Sequence, residues 1–257
     1  MIRQKQIQRF YQEQASLVSS PFITQYNQVK TDLLRKVFHQ LNIPYEKSGI
    51  ILDVGCGRGL LSTIFENGTY IGLDLVIQKT VLKIKKENAC FVQGDGHFLP
   101  LRSGSVNFIL CLDSFEHYPD MLKAAKEFRR VLQDGGSLFL SIPNYSNTAG
   151  LLKRYFEESG QSEPNGWAPF DFWKRQELEQ FITPKRIKEI FYAAGFRRCE
   201  FVGYSEEFLM GIFPWIWHPR MPMRLANAIC RMFSPLRDLF TGLFPSLSLH
   251  TFWKMEL

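Results

Sequence analysis

Cysteine is scarce and scattered in this 257-residue chain. The five residues Cys56, Cys90, Cys111, Cys199 and Cys230 are odd in number and lack any C-x-x-C spacing, which argues against a disulfide framework and a zinc ribbon. Cys90 and Cys111 fall in apolar strand patterns and read as buried core thiols. No cluster of His, Asp and Glu has ligand spacing, so no metal is expected. No run approaches the ~20 apolar residues that a spanning helix needs. Residues 1–14 are polar and charged and lack the apolar centre of a signal peptide, which makes a cytoplasmic location the expectation. Neither charge sign dominates. Lys and Arg total 31 against 25 Asp and Glu, a net +6, but the basic residues are spread out. The runs at 83–86 and 185–188 read as solvated helix faces, so nucleic acid is not an expected partner. With 45% hydrophobic residues, the chain can bury one large core with one appended subdomain.

The densest information lies at residues 50–61, I-I-L-D-V-G-C-G-R-G-L-L. Ile50, Ile51, Leu52 and Val54 suit a parallel strand buried on both faces, and a helical pattern resumes at Leu60 and Leu61. Asp53, Gly55, Gly57 and Gly59 therefore lie on a strand-to-helix turn, where glycine permits close approach of a ligand to the backbone. A dinucleotide fingerprint needs G-x-G-x-x-G with an acid about 20 residues on; here the spacing is G-x-G-x-G with Asp53 inside the turn. A second strand, 70–74, ends in Asp74, a carboxylate able to accept both hydroxyls of a ribose. A third, 89–92, leads into Gly94-Asp95-Gly96, and a fourth, 106–112, into Asp113-Ser114-Phe115-Glu116-His117. Four successive strands thus deliver polar groups to one sheet edge, where open α/β sheets bind ligands.

The order D-V-G-C-G-x-G, G-L-D, G-D-G-x-x-L-P-L, E-H-x-x-D, R-V-L-x-x-G-G and P-N closely resembles the class I S-adenosylmethionine-dependent methyltransferases, in particular the ubiquinone/menaquinone-type small-molecule branch. The resemblance covers residues 50–204. It implies a Rossmann-like, seven-stranded, mostly parallel sheet with helices on both faces, and S-adenosylmethionine as methyl donor without a metal. It further implies that Gly55, Cys56 and Gly57 supply backbone around the methionine part and that Asp53 orients its amino group. Asp74, with Leu75 beside it, would hold the ribose. Asp95 and the Gly96 amide would take the adenine edge, and the Leu112–Asp113 backbone the ammonium. His97 departs from the family pattern, which has small or acidic residues after that glycine.

Four segments are expected: an N-terminal helical lid at 1–46, a cofactor-binding core at 47–205, an amphipathic insert at 206–245 and a last core strand at 246–257. Within the lid, residues 31–41 place Leu33, Leu34, Val37, Phe38 and Leu41 on one helical face. Phe10, Tyr11 and Tyr26 lie upstream, read equally as lid or as core aromatics. Residues 119–133 read as a helix closed by Gly135 and Gly136, and 137–142 as a fifth strand. Thr183-Pro184 starts another helix that stops at Gly195, before a sixth strand at 196–204. The long stretch 143–181, carrying Tyr145, Trp167, Phe170, Phe172 and Trp173, should wall the acceptor pocket. The insert mixes aromatics with Arg220, Arg224, Arg231 and Arg237 on short pieces broken by Pro214, Pro219, Pro222, Pro235 and Pro245. It reads either as an anchor on a membrane surface or as a core cap or dimer contact.

Methyl transfer requires positioning more than acid/base work, but a hydroxyl or acidic carbon acceptor must lose a proton. His117 is the best-placed base; the alternative is a cap on the following helix, and His218 and His250 rank below it. The partner is a small molecule, hydrophobic or membrane-associated, such as a quinone, a lipid or a lipid-linked glycan precursor. A soluble metabolite is the alternative. From other classes, a nicotinamide-dependent oxidoreductase and a catalytically silent binding module remain open.

Overall fold

A computed structural model describes Arg9, Gln12 and residues 33–43, 48–160, 179–217 and 221–257. Phe10, Tyr11, Tyr26, Trp167, Phe170, Phe172, Trp173 and His218 lie outside the described residues.

Seven strands, β1 (Ile50–Val54), β2 (Thr69–Asp74), β3 (Ala89–Gln93), β4 (Val106–Leu112), β5 (Leu132–Pro143), β6 (Arg198–Gly203) and β7 (His250–Glu256), form one sheet in the order β3-β2-β1-β4-β5-β7-β6. All neighbours pair parallel except β7, which runs antiparallel to both β5 and β6. The chain steps outward from β1 to β3 and then returns to β4 on the other side of β1. The loops leaving β1 and β4 therefore diverge, and a crevice opens at their carboxyl ends.

The helices are α1 (residues 33–40), α2 (Met121–Val131), α3 (Thr148–Glu158), α4 (Pro184–Ala193), α5 (Ser205–Ile212) and α6 (Met223–Leu243). Alternation along each strand splits the core in two. Leu52, Val54, Ile109, Leu138, Leu140 and Trp253 face one side, where Phe128 of α2 and Phe191 of α4 pack. Ile51, Phe108, Leu110, Phe139 and Phe252 face the other. There α1 buries Leu33, Leu34, Val37 and Phe38, the set expected from its spacing, and Phe38 meets Phe139 edge-on at 4.7 Å between centroids. Thr183 accepts the Arg186 amide at the start of α4, with Pro184 in its first turn.

Four local expectations are corrected. The turn after β1 leads not into an α-helix but into one 3₁₀ turn, Leu60–Thr63. Only 14 residues separate Val54 from Thr69, too few for loop, helix and return. Lys86, part of a run expected to be solvated, instead donates to the carbonyls of Ser62 and Phe65 and closes that turn. Cys90 is exposed because β3 is the sheet edge, whereas Cys111 is buried. The insert is not a series of short pieces: α6 runs for 21 residues through Pro235. A proline costs a helix one hydrogen bond and some bending without always ending it. Among the described residues, no helix is long and apolar enough to cross a membrane.

Candidate functional site

Asp53, next to last in β1, is almost fully buried, and the Tyr70 hydroxyl from β2 donates to its Oδ2. Burial, then the Asp53 charge, raises the Tyr70 pKa, so the phenol stays a donor. Beyond Asp53 the backbone turns left-handed. Gly55 has φ +81°, and a Cβ there would stand 2.3 Å from Ser114 Oγ, so the β1 loop lies directly against the β4 loop. Its amide and that of Cys56 donate to the Leu73 carbonyl at 2.8 and 3.2 Å. The Cys56 thiol is raised by burial, then by the Asp53 and Asp74 charges, and is not a nucleophile. At Gly57, φ is +51° and a Cβ would meet nothing within 4 Å. This is the open mouth of the loop.

Asp74, at the end of β2, accepts the Gly57 amide on Oδ2 at 2.8 Å and the Val76 amide on Oδ1 at 3.1 Å. Burial raises its pKa, while hydrogen bonds from the Val76, Gly57 and Leu75 amides oppose the shift. Three amide donors on about four acceptor sites leave one site open. Past β3, Asp95 Oδ1 accepts both the His97 amide at 2.9 Å and His97 Nδ1 at 2.7 Å. The Asp120 amide reaches His97 Nε2 at 3.4 Å, which assigns the ring proton to Nδ1. His97 thus steers the Asp95 carboxylate instead of lining an open wall. Gly96 is required on the other side, since a Cβ would fall 2.3 Å from the Tyr118 hydroxyl oxygen.

At the end of β4, Asp113 adopts φ +46°, an uncommon conformation for a residue with a side chain. β5 holds it there: its amide donates to the Ser141 carbonyl at 2.9 Å, and Ser141 Oγ donates to Asp113 Oδ1 at 2.6 Å. Leu112 pairs with Ser141 in the same register. A single 3₁₀ turn, Phe115–His117, follows. His117 does not cap α2; Asp120 does, accepting the Lys123 amide at 2.9 Å. The His117 Nε2 instead sits 3.6 Å from Glu116 Oε1. Glu116 is 2% exposed, and its Oε2 has no hydrogen-bond partner among the described residues. Burial, then the Asp113 charge, lifts its pKa well above the ordinary carboxyl value.

A second group of polar residues closes the same edge. The Tyr145 hydroxyl donates to Glu179, and Lys153 Nζ, itself buried, holds both Glu179 oxygens at 2.8 and 2.9 Å. His250, at the start of β7, pairs through Nδ1 with Glu207 of α5 at 2.8 Å. The carboxyl edge of the sheet therefore carries Asp53, Asp74, Asp95 and Asp113, with the left-handed loop 55–59 among them. His117 and Glu116 follow on the turn after β4. Tyr70, Ser141, Glu116, Glu179 and Lys153 were not singled out from sequence. For Glu116 a signal existed in its adjacency to His117; the others lie on strands or on segments far apart in the chain. Among the described residues, no group of three His, Cys, Asp or Glu is arranged to hold a metal ion.

Residues 52–140 match the family model described as Methyltransferase domain. Demethylmenaquinone methyltransferase from Lactococcus lactis subsp. lactis is 30% identical over 169 residues, spanning 59% of this chain and 67% of that protein. Among solved structures, a SAM-dependent methyltransferase from Archaeoglobus fulgidus superposes with a TM-score of 0.57 at 13% identity, covering 93% of this chain and all of that one. Phosphoethanolamine N-methyltransferase 2 from Haemonchus contortus, solved with S-adenosyl-L-methionine, does so at 0.56 and 17% identity, over 89% of this chain and 52% of that one. Both structures share the fold. Together with the sheet order, these similarities define an S-adenosylmethionine-dependent methyltransferase. The chain belongs to the methyltransferase-domain family, in its ubiquinone/menaquinone-type branch. The oxidoreductase alternative is thereby set aside.

Proposed function

We propose that this chain transfers a methyl group from S-adenosylmethionine to a small hydrophobic or membrane-associated acceptor in the class of quinones, lipids or lipid-linked glycan precursors. The observation that carries the reading is the junction of Gly57 and Asp74. A glycine amide is clasped by a carboxylate with one acceptor site still open, beside space into which a side chain at residue 57 would project. That fits a ribose on Asp74 and Leu75, with the methionine part along Gly55, Cys56 and Gly57. Asp53 would orient the amino group, the Leu112–Asp113 backbone would receive the ammonium, and Asp95 and Gly96 would meet the adenine edge. When bound, the cofactor supplies an electrophilic methyl carbon on a sulfonium. The protein's own part is to hold the acceptor in line, exclude water and take a proton, for which His117 stands on the turn between β4 and α2.

Support for a hydrophobic acceptor comes from α6, whose Leu225, Met232, Leu236, Leu239 and Leu243 are all exposed, and from a relative named for a quinone substrate. Such a face would suit the inner surface of a membrane, with the protein otherwise cytoplasmic. It would equally suit a second copy of this chain, which makes a soluble acceptor the second reading. Incubating the protein with methyl-labelled S-adenosylmethionine and a total lipid extract tests the choice by mass spectrometry. A labelled product in the organic phase is expected. Label confined to products of a soluble metabolite extract would reverse the order of the two readings.

A further inference from the structure

The turn between β4 and α2 buries the Glu116 carboxyl group. Glu116 is 2% exposed, and its Oε2 has no hydrogen-bond partner among the described residues, although buried polar atoms are nearly always paired. Its other oxygen lies 3.6 Å from His117 Nε2, too far for a hydrogen bond but within ion-pair range. The groups facing it are mostly acidic. Cys111 comes from β4, Asp113 from the residue after it, Glu179 from the segment ahead of α4, and His250 from β7. Lys153 and Tyr145 are already committed to Glu179, and His250 to Glu207. Among the described residues, the cation nearest the Glu116 carboxylate is the one His117 becomes on protonation.

We propose that Glu116 and His117 form a dyad armed by the methyl donor: Glu116 carries a proton in the free protein and releases it to solvent when the cationic donor enters beside Asp113. The inference rests on the methyltransferase reading above and names the proton step within it. A buried acid among acidic neighbours is held neutral by desolvation and like charge. The positive ammonium and sulfonium of the donor act in the opposite sense, and in a low-dielectric site their effect is large. Once ionised, Glu116 stabilises a protonated His117. The acceptor X–H then gives its proton to the His117 ring as X bonds to the methyl carbon. The carbon–sulfur bond breaks with its electron pair going to sulfur, which leaves S-adenosylhomocysteine and an imidazolium balanced by Glu116. Loss of the sulfonium charge favours return of a proton to Glu116. Glu116 is thus a positioning residue acting through His117, and without the donor the base is not fully formed.

Calorimetry on the full chain in two buffers of different ionisation enthalpy counts the protons released. Wild type is expected to release up to one proton per S-adenosylmethionine bound, and fewer with S-adenosylhomocysteine, which lacks the sulfonium charge. Glu116→Gln keeps the shape of the side chain and should bind both ligands while abolishing the difference between them. In wild type, affinity for S-adenosylmethionine should rise with pH more steeply than affinity for S-adenosylhomocysteine, a readout that does not depend on the variant folding. Equal proton release with the two ligands in wild type, or an unchanged difference in Glu116→Gln, overturns the dyad. Binding of neither ligand would instead overturn the methyltransferase reading itself.

Discussion

Glu116 also makes the free protein's stability depend on pH in an unusual direction. Its folded pKa is raised, where most native carboxyls are lowered, because burial and the Asp113 charge penalise the ionised form. The folded state then binds the proton more tightly than the unfolded chain, so stability is greatest below the ordinary carboxyl pKa and falls as pH climbs toward the folded value. Glu116→Gln removes that dependence. Thermal denaturation of wild type and variant should therefore converge near about pH 4 and separate toward about pH 7, with the variant the more stable at the higher pH. Parallel curves across that range would place Glu116 in a polar, water-filled setting. Asp74 shares the raised direction but is embraced by three amides, so its carboxylate is the better prepared of the two to remain charged and receive hydroxyl donors.

Elements differ in how far their residues announced them. Each strand from β1 to β4 shows apolar residues ending in an acid or an Asp-containing turn, and the sheet edge follows directly from that pattern. The helix expected after Gly59 does not exist, because Leu60, Leu61, Ile64 and Phe65 match helical spacing on a stretch that must reach β2 within a few residues. α6 was hidden for the opposite reason: Pro235 marks a break by local rules, yet 21 residues stay helical across it. Glu116 and Glu179 are 63 positions apart, and only the fold brings the Gln180 amide to the Glu116 carbonyl at 3.0 Å. The glycine loop offers a test of what sequence did reveal. Gly57→Ala meets open space, so it should lower stability by only about 1–2 kcal/mol of left-handed strain yet impair cofactor binding, because its Cβ enters the cradle. Gly55→Ala adds a collision with Ser114 and should cost more stability, partly recovered by Ser114→Gly. Chemical denaturation beside calorimetry separates the two. Equal losses of both properties in both variants would mean that the loop is merely a turn.

At the scale of the whole molecule, α6 exposes Leu225, Met232, Leu236, Leu239 and Leu243, and α3 exposes Leu151, Tyr155 and Phe156. α6 carries Arg224, Arg231 and Arg237 and one acid, Asp238, which lies 3.6 Å from Arg237. Attraction to anionic lipid of about 1 kcal/mol per arginine would add to the apolar burial. Co-sedimentation with phosphatidylglycerol-rich vesicles should rise with anionic content, fall with salt, and drop when Met232 and Leu239 are both changed to serine. A wild type that stays in the supernatant at low salt while eluting as a dimer would assign the surface to a second copy. All of this presumes that the cradle at the carboxyl edge is a methyl-donor site, and one titration addresses that claim directly. Calorimetry with S-adenosylhomocysteine should give binding by wild type that Asp74→Ala weakens by about 1.5–3 kcal/mol, the range for a hydrogen bond to a charged group. Binding of NADH in place of S-adenosylhomocysteine, or undiminished affinity in Asp74→Ala, would contradict it.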